Sequence, residues 1–435
     1  MPRSHTIPAL LFALAVSAFA QLPAKDRAAH LASFELVWTT IRDHNPDPNL
    51  NGLDWQAVHD AFKPRIDRAK SADEVRAILR EMIAKLGVSH YAIFPGDLYA
   101  AIGEPSATAP AAASTAGIET TILDRKAVVK SVAPGSPAAR AGVKPGMVLE
   151  GVDGSKVAPL LDAASGLDDT ESRRLANLAV TQKLQGPADA PLKLDLLDAD
   201  GHAKHVELKP AGERSPVESS TVQFGNLPQS RLEFESRTLP GGAGYIRFNE
   251  FLDPVTLMPR FESVLKGFAS APGVILDLRG NPGGIGIMAM GIAGFFIDDS
   301  GRKLGEMKTR DTTLKFTVFP RAWTYPDRLA ILLDEGSAST TEILAQGLQD
   351  LKRARIFGTR SAGAALPSDI IRLPNGDGFQ YPTAGYISSG GRVLEGNGVV
   401  PDVEVRQSIE SLAAGKDPVI DAAAEWIAQP SPGLK

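Results

Sequence analysis

A serine in the carboxy-terminal half of the chain stands where its hydroxyl could act as a nucleophile. Residues 328–334 (RLAILLD) have the pattern of a buried strand, and the small residues of EGSASTTEIL follow and open a helix. A serine at such a turn exposes its hydroxyl, and the unpaired amides of the helix start can stabilise an oxyanion. Ser339 and Glu342 also fit a helix capping box, which is the commoner use of this pattern. Both interpretations of Ser339 remain open at this point.

A glycine-rich loop is the second candidate element. Residues 273–286 (GVILDLRGNPGGIG) read as a strand that ends in glycines before a predicted helix, and glycines let the backbone approach a ligand closely. Gly284, Gly286 and Ala289 superficially fit a dinucleotide-binding fingerprint, but no surrounding βαβ unit or acidic partner supports that alternative. The loop therefore strengthens the catalytic interpretation of Ser339.

Three stretches of the chain must position these residues. The first carries apolar residues at helical spacing, the second has short strand-like runs around one helix, and the third alternates strands with helices, which argues for an α/β domain. A linker of small residues and prolines precedes the second stretch. We predict a helical region at 21–103, a β-rich domain at 114–210 and an α/β core at 216–430.

Composition limits the classes of function. With 435 residues, of which 43% are hydrophobic, the chain is long enough for two or three packed domains. Its net charge is −5 and no Lys/Arg cluster stands out, so a nucleic-acid partner is not expected. The absence of cysteine excludes disulfides, thiolate metal sites and a cysteine nucleophile.

The first twenty residues resemble an export signal. Arg3 precedes the apolar run 7–19, and Ala18-Phe19-Ala20 has the small-x-small form that signal peptidases cut. A buried amino-terminal helix is the alternative. We expect cleavage after Ala20 and a periplasmic or secreted protein, and no later run is long and apolar enough to span a membrane.

The middle stretch resembles a bacterial PDZ domain. Residues 129–154 combine a strand, a Gly-Ser-Pro-Ala turn, a short helix and a second strand, although Met147 stands where the family usually has Asp. The resemblance implies binding of an extended peptide, with its terminal carboxylate held near Gly117 and Ile118. A structural module with a closed groove is the alternative.

Together with the PDZ pattern, three motifs resemble the tail-specific, or C-terminal-processing, serine proteases of the S41 class. They are DLRGNPGG at 277–284, GSASTTE at 336–342 and LEGNGVVPD at 394–402. The resemblance implies a ClpP/crotonase-like catalytic core, polypeptide substrates and no metal or organic cofactor. It also implies that Ser339, rather than Ser337, is the nucleophile.

The chain departs from the Ser-Lys form of that class. Ala364 occupies the position of the usual lysine base, and no lysine occurs from 353 to 415. None of the seven histidines lies after residue 205, so a histidine base has to come from outside the α/β core. Ser89-His90 resembles the Ser-His pair of the tricorn protease branch, and Glu395 matches the glutamate of that tetrad. A lone histidine at such a place is more often structural, and Glu395 could equally be an exposed loop carboxylate.

The resemblance to the tricorn branch implies a mechanism. His90 takes the proton of Ser339, while Ser89 and Glu395 orient the imidazole. The backbone N–H groups of Gly284 and Thr340 form the oxyanion hole, with Gly283 as an alternative to Gly284. We expect an exported serine endopeptidase. A catalytically inactive protein that binds peptides or apolar ligands on the same scaffold is the alternative, and the missing lysine favours it.

Overall fold

The computed structural model describes residues 23–88, 90–96, 114–163, 169–186, 191–209, 218–222 and 230–429. The predicted signal peptide, Ser89 and most of the predicted linker lie outside the described residues. Within the described parts, no helix has the length and apolar character needed to cross a membrane.

The amino-terminal region is a helical bundle, as its apolar spacing predicted. It contains α1 (Ala24–His44), a 3-10 turn (Leu50–Gly52), α2 (Trp55–Arg68) and α3 (Ala72–Ala84). Asp54 and Ser71 cap α2 and α3 by accepting from backbone N–H groups three residues on. The core consists of buried residues three or four positions apart: Phe34, Val37, Ile41, Phe62, Ile66, Val75, Leu79 and Met82.

The β-rich region is an antiparallel sheet with helices packed on it. Its strands are β2 (Ser114–Thr115), β3 (Ile118–Leu123), β4 (Lys126–Val132), β5 (Val148–Val152), β6 (Ser155–Lys156), β7 (Gln185–Gly186), β8 (Leu192–Leu197) and β9 (Ala203–Leu208). Its helices are α4 (Pro137–Arg140), α5 (Ala158–Ala163) and α6 (Asp169–Leu184). The main sheet has the order β3-β4-β5-β8-β9, so β3 is an edge strand within the described residues.

The α/β region is built on a seven-stranded sheet of order β10-β11-β12-β13-β16-β17-β21. These strands are β10 (Glu218–Val222), β11 (Ser230–Thr238), β12 (Gly244–Phe248), β13 (Gly273–Asp277), β16 (Arg328–Leu333), β17 (Ala354–Gly358) and β21 (Val403–Glu404). Strands β12 to β21 run parallel, and helices cover both faces. This burial on two sides explains the uninterrupted apolar run of β16.

Three helices cover one face of that sheet and a fourth covers the other. Apolar residues of α7 (Pro254–Gly267), α8 (Gly286–Ala293) and α9 (Thr340–Asp350) pack in one core with Val274, Leu276 and Ile331. Helix α11 (Pro418–Ala428) packs on the opposite face against Ile275 and Ala330. The sequence did not predict α11 or the short helix α10 (Ile409–Ala413).

Two smaller antiparallel sheets interrupt the predicted alternation of strands and helices. One joins β15 (Thr313–Thr317), β14 (Lys303–Lys308) and β20 (Gly385–Ser388), and the other joins β1 (Ala92–Phe94), β19 (Gly378–Pro382) and β18 (Ser368–Arg372). The β18–β19 hairpin packs Leu373 and Phe379 into the core of the amino-terminal bundle. A hairpin of the third stretch thus completes the fold of the first.

Candidate active site

Ser339 lies at the turn between β16 and α9, where the sequence predicted it. It is the residue preceding the first turn of α9 and has φ 54° and ψ −119°. A positive φ is unfavourable for a residue with a side chain, and such strain is concentrated at functional sites. Ser337, the rejected alternative, is fully buried, and its hydroxyl donates to the carbonyl of Leu278 (2.8 Å).

Glu342 holds the backbone around Ser339 in place. One carboxylate oxygen accepts from the N–H groups of Ser339 (3.1 Å) and Ala364 (2.9 Å). The other accepts from Gly363 N–H (2.8 Å) and the Ser361 hydroxyl (2.5 Å). Complete burial raises the pKa of Glu342 to about 7, and these donors limit the rise. The capping-box prediction is therefore correct for Glu342, but the carboxylate also anchors the 361–364 loop to Ser339.

The glycine-rich loop lies directly against the serine turn. A Cβ atom on Gly283 would come within 2.8 Å of both Ser339 Cβ and Thr340 N, so no side chain fits there. The carbonyl of Gly284 accepts from the Thr340 hydroxyl (2.7 Å). Asn281, which is fully buried, donates to the Phe248 carbonyl and accepts from the Thr341 hydroxyl. Asn281 thereby fixes the loop to both β12 and α9.

Two backbone donors at this junction have no acceptor among the residues that the structure describes: the N–H groups of Gly284 and Thr340. The N–H of Gly283, in contrast, donates to Asn281 Oδ1 (2.9 Å). Thr340 is the first residue of α9, where a backbone N–H has no partner within the helix. The junction therefore offers two amides that could stabilise a negative charge.

A buried ion network supports the base of the glycine loop. Asp277 accepts from Arg279 (2.6 Å) and from the Tyr245 hydroxyl (2.9 Å), and Arg279 also contacts Asp417 (2.8 Å). Burial alone would raise the pKa of Asp277, but the Arg279 guanidinium outweighs it and holds that pKa below its usual range. The loop is consequently rigid at its attachment to β13.

The segment that carries His90 is held by the β18–β19 hairpin. His90 has a φ of 65°, so it shares with Ser339 an unfavourable backbone conformation. The next residues form β1, in which Ala92 pairs with Gln380, and the Tyr91 ring stacks on Phe379 with centroids 6.2 Å apart. Ser89, the predicted orienting residue, lies outside the described residues.

The Glu395 segment is fixed to the loop that follows β17. Leu394 is fully buried, and Gly396 N–H donates to the Gly363 carbonyl (2.8 Å). On its other side the same loop receives Ser339, whose N–H donates to the carbonyl of Ala364 (2.8 Å). Ala364, which replaces the usual lysine, thus helps to hold the backbone of Ser339.

The 361–367 loop therefore connects the segments that carry the predicted site residues. It contacts the serine turn and the Glu395 segment directly, and it leads into the hairpin that pairs with the His90 segment. Sequence reasoning missed the roles of Glu342, Ser361 and Asn281. The signal for Asn281 was present in the LRGN motif, and the capping box pointed to Glu342 for a different reason.

The predicted peptide-binding residues Gly117 and Ile118 lie in the β-rich region, at the start of the edge strand β3. Gly117 has a φ of 76°, and a Cβ atom there would lie 2.2 Å from Ser136 Cβ, so glycine is required. Further along β3, the Thr120 hydroxyl donates to Asn177 Oδ1 of α6 (3.0 Å). This bond ties the edge strand to the neighbouring helix at one point.

Charged residues join the β-rich region to the α/β region. Glu119 contacts Arg247 (2.8 Å) and Lys130 (3.2 Å), Lys130 lies 3.9 Å from Asp334, and Arg173 lies 3.9 Å from Glu335. The two acidic partners in the α/β region come directly before the serine turn. A cavity of about 580 Å³ lies between the two regions and is lined by these residues.

Comparison with known proteins finds two family models that match parts of this chain. Residues 242–405 match the model described as Peptidase family S41, and residues 26–84 match the Tricorn protease C1 domain. The first range contains Ser339, Gly284, Thr340 and Glu395, and His90 lies between the two ranges.

Curated relatives and solved structures agree with these matches. The carboxy-terminal-processing protease of Bartonella bacilliformis is 28% identical over 69% of this chain, and the alignment spans 63% of that protein, less than two thirds of its length. The chloroplastic C-terminal processing peptidase of Tetradesmus obliquus is 25% identical over 89% of this chain and 79% of its own length. The structure of the photosystem II D1 C-terminal processing protease is 21% identical, has a TM-score of 0.57, and is matched over 93% of this chain and 98% of its own. The predicted mixture of helices and sheets is thereby confirmed.

Proposed function

We propose that this chain, whose residues 242–405 match Peptidase family S41, is an exported serine endopeptidase that cleaves polypeptides. Its α/β region would be a ClpP/crotonase-like catalytic core, and residues 114–210 would be a PDZ domain. Export rests on the signal-like residues 1–20, with cleavage after Ala20 and a periplasmic or secreted destination.

Ser339 is the proposed nucleophile and His90 the proposed base. His90 takes the hydroxyl proton of Ser339 as the oxygen attacks the substrate carbonyl, and then gives that proton to the leaving amine. A water molecule, deprotonated in turn by His90, releases the acyl group from the serine. Ser89 and Glu395 orient the imidazole and support its positive charge, so they are positioning residues.

The oxyanion hole is formed by the N–H groups of Gly284 and Thr340. Gly284 is preferred to Gly283 because the Gly283 N–H already donates to Asn281. Removing one preorganised donor of this kind typically lowers kcat by about 10²–10³-fold.

One observation carries the proposal: the 361–367 loop fastens the strained Ser339 turn to the Glu395 segment, beside the amide donors of Gly284 and Thr340. The strained backbone of His90 is independent support, because unfavourable φ angles persist mainly where function requires them. The pairing of β1 with β19 also supports the proposal, because it fastens the strand that follows His90 to the hairpin that follows the 361–367 loop.

The PDZ domain would select substrates by their carboxyl termini. The edge strand β3 could accept an added peptide strand, with the terminal carboxylate at the loop around Gly117 and Ile118. The bond between Thr120 and Asn177 favours the alternative of a closed groove at that point.

The competing proposal is a catalytically inactive protein that binds peptides or apolar ligands. Ala364 favours it, because the usual lysine base is absent. The two classes differ in whether Ser339 reacts as a nucleophile.

The test is labelling of the mature protein with a fluorophosphonate, followed by mass spectrometry of the labelled peptide and a casein cleavage assay. We expect the label on Ser339, and loss of about a thousandfold or more in cleavage rate for Ser339→Ala and for His90→Ala. His205→Ala is the matched control, because that histidine is exposed in the β-rich region. Undiminished cleavage by either active-site variant would refute the assignment.

A further inference from the structure

A buried histidine of the amino-terminal bundle contacts the turn between β18 and β19. His30 lies on α1 and has only 7% of its surface exposed. Its ring nitrogen Nδ1 lies 3.2 Å from the side-chain amide nitrogen of Asn375, which is 345 residues further along the chain. The same hairpin pairs through β19 with β1, the strand that follows His90. His30 therefore joins α1 to the hairpin that holds the His90 segment.

Asp377 fixes the orientation of the Asn375 amide. Asn375 Nδ2 donates to Asp377 Oδ2 (2.9 Å), and Asn375 Oδ1 accepts from the backbone N–H of Asp377 (3.1 Å). Turning the amide over would set its carbonyl oxygen against the carboxylate and its amino group against an N–H group. The amino group therefore faces His30. Because an amino group of this kind can only donate, His30 Nδ1 accepts with a lone pair, and the proton of the neutral ring is on Nε2.

Three charged groups face His30: Asp26 on its own helix, Arg76 on α3 and Asp377 on the turn. Burial has the largest effect and favours the neutral ring, as Arg76 also does, whereas the two carboxylates favour the imidazolium. The pKa of His30 is consequently lowered from its reference value of 6.5. Arg76 also donates to Asp377 (3.0 Å), so this carboxylate already has a cationic partner.

A proton on His30 Nδ1 would turn the acceptor into a donor. Two N–H groups would then face each other in a buried place, and a buried donor without an acceptor is costly. Asn375 has one further bond to α1, since its backbone N–H donates to the Ser33 hydroxyl (3.0 Å). The conflict is relieved when Asn375 gives up its bonds to Asp377 or moves away from α1, and either change loosens the turn.

We propose that His30 is a pH-sensitive latch: the neutral ring holds the β18–β19 hairpin on the amino-terminal bundle, and protonation of the ring releases it. Because the folded-state pKa lies below 6.5, the attachment is complete above pH 6.5 and weakens as the pH falls through that lowered value. The consequence for activity rests on the proposed function. Release of the hairpin loosens β1 and with it His90, so peptidase activity should be lost reversibly in mild acid.

Hydrogen exchange of the mature full-length chain measures the latch. In wild type, the protection factor of segment 368–382 should fall at least about fivefold from pH 7.5 to pH 5.5, because one buried hydrogen bond is lost. His30→Gln keeps an acceptor oxygen but does not titrate, so its protection factor should stay constant over this range. His59→Gln is the matched control and should follow wild type. His59 lies on α2 of the same bundle and contacts Glu35 and Asp60, each at 3.1 Å.

NMR of wild-type protein labelled with nitrogen-15 at histidine tests the geometry without a variant. We expect the proton of His30 on Nε2 at pH 7.5 and a titration midpoint below 6.5. A proton on Nδ1 would overturn the proposal. Equal changes of the protection factor in wild type and His30→Gln would also overturn it. If His30→Gln does not fold, the NMR result decides.

Casein cleavage at pH 6 and pH 7.5 tests the consequence for activity. The ratio of the rate at pH 6 to the rate at pH 7.5 should be higher in His30→Gln than in wild type, since titration of His90 lowers both rates alike. Equal ratios would refute the effect of the latch on His90. If wild type cleaves nothing at either pH, the proposed function fails, while hydrogen exchange and NMR still decide whether the latch exists.

Discussion

At the scale of single residues, Glu342 connects two segments of the candidate site. Its carboxylate joins the Ser339 turn to the 361–364 loop through four hydrogen bonds. The sequence identified Glu342 only as a capping residue, because local spacing reveals the bond to Ser339 but not those to a loop about twenty residues away. The positions of Ser339 and the glycine loop could be predicted, because strand, turn and helix are adjacent in the chain.

Replacing Glu342 tests this role. In Glu342→Gln the side-chain amide would face N–H donors, and leaving buried donors unsatisfied costs about 1–3 kcal/mol of unfolding free energy. The folded-state pKa of about 7 lies above the reference value of 4.5, so the folded protein binds this proton more tightly than the unfolded chain. This contribution to stability is fully present below pH 4.5 and is lost as the pH rises to about 7.

Urea unfolding at pH 4.5 and pH 8 measures both effects. The free energy of unfolding of Glu342→Gln should change less between the two pH values than that of wild type. Glu425→Gln, an exposed glutamate on α11, should behave as wild type. Identical pH profiles for wild type and Glu342→Gln would contradict the assignment.

At the scale of elements, the long amino-terminal helices and the buried strands follow from sequence, while the small sheets and helices α10 and α11 do not. Strand β16 could be predicted because its apolar run is a local signal. Strand β15 has three exposed residues out of five, and β14 also pairs with β20 about eighty residues later. The register of β1 with β19 is likewise a tertiary property, so the attachment of the His90 segment could not be read from its sequence.

The glycine loop allows a comparison of two glycines in the same element. Gly280 and Gly283 both have positive φ angles, so alanine strains the backbone at either position. Only at Gly283 does the added methyl group meet Ser339 and Thr340 at 2.8 Å, whereas nothing lies within 4 Å at Gly280. We expect Gly283→Ala to lower the rate of fluorophosphonate labelling at least tenfold and Gly280→Ala to leave it within about twofold. Equal rates in the two folded variants would show that Gly283 does not shape the site.

At the scale of the whole molecule, the β-rich region is attached to the α/β region by apolar and ionic contacts. Leu412 of α10 packs in one cluster with Val128 and Val148 of the β-rich sheet. The ion pairs of Glu119 and Lys130 lie on the same side of that sheet as the cavity. These contacts hold the two regions in one arrangement at neutral pH.

Leu412→Ala tests how much the apolar contacts of α10 contribute to holding the two regions together. Leucine-to-alanine changes in cores cost 2–5 kcal/mol, and we expect about 2 kcal/mol here because α10 lies between two regions rather than inside one. The variant should be cut faster than wild type in limited proteolysis between the regions. Val393→Ala, at an exposed position, is the control. Equal cutting rates would exclude α10 as an attachment point.

Acidification should weaken the ion pairs that hold the two regions together. Burial would raise the pKa of Glu119, but Arg247 and Lys130 outweigh it and hold that pKa below the reference value of 4.5. The stabilisation is therefore present above pH 4.5 and is lost as the pH falls through the lowered folded-state pKa. Proteolysis between the regions, with an acid-active protease, should accelerate as the pH falls below 4, and Glu119→Gln should remove that acceleration. An unchanged pH profile in the variant would assign the effect to other carboxylates.

The hairpin between β18 and β19 has a consequence for biosynthesis. Arg76 of α3 donates to the carboxylate of Asp377, 301 residues further along the chain, and Phe379 completes the hydrophobic core of the first three helices. The ribosome therefore releases the early helices long before the segment that completes them. Under the proposed mechanism, a nascent chain that ends before the hairpin has neither an anchored imidazole nor an assembled catalytic centre, and so it cannot digest its neighbours during synthesis.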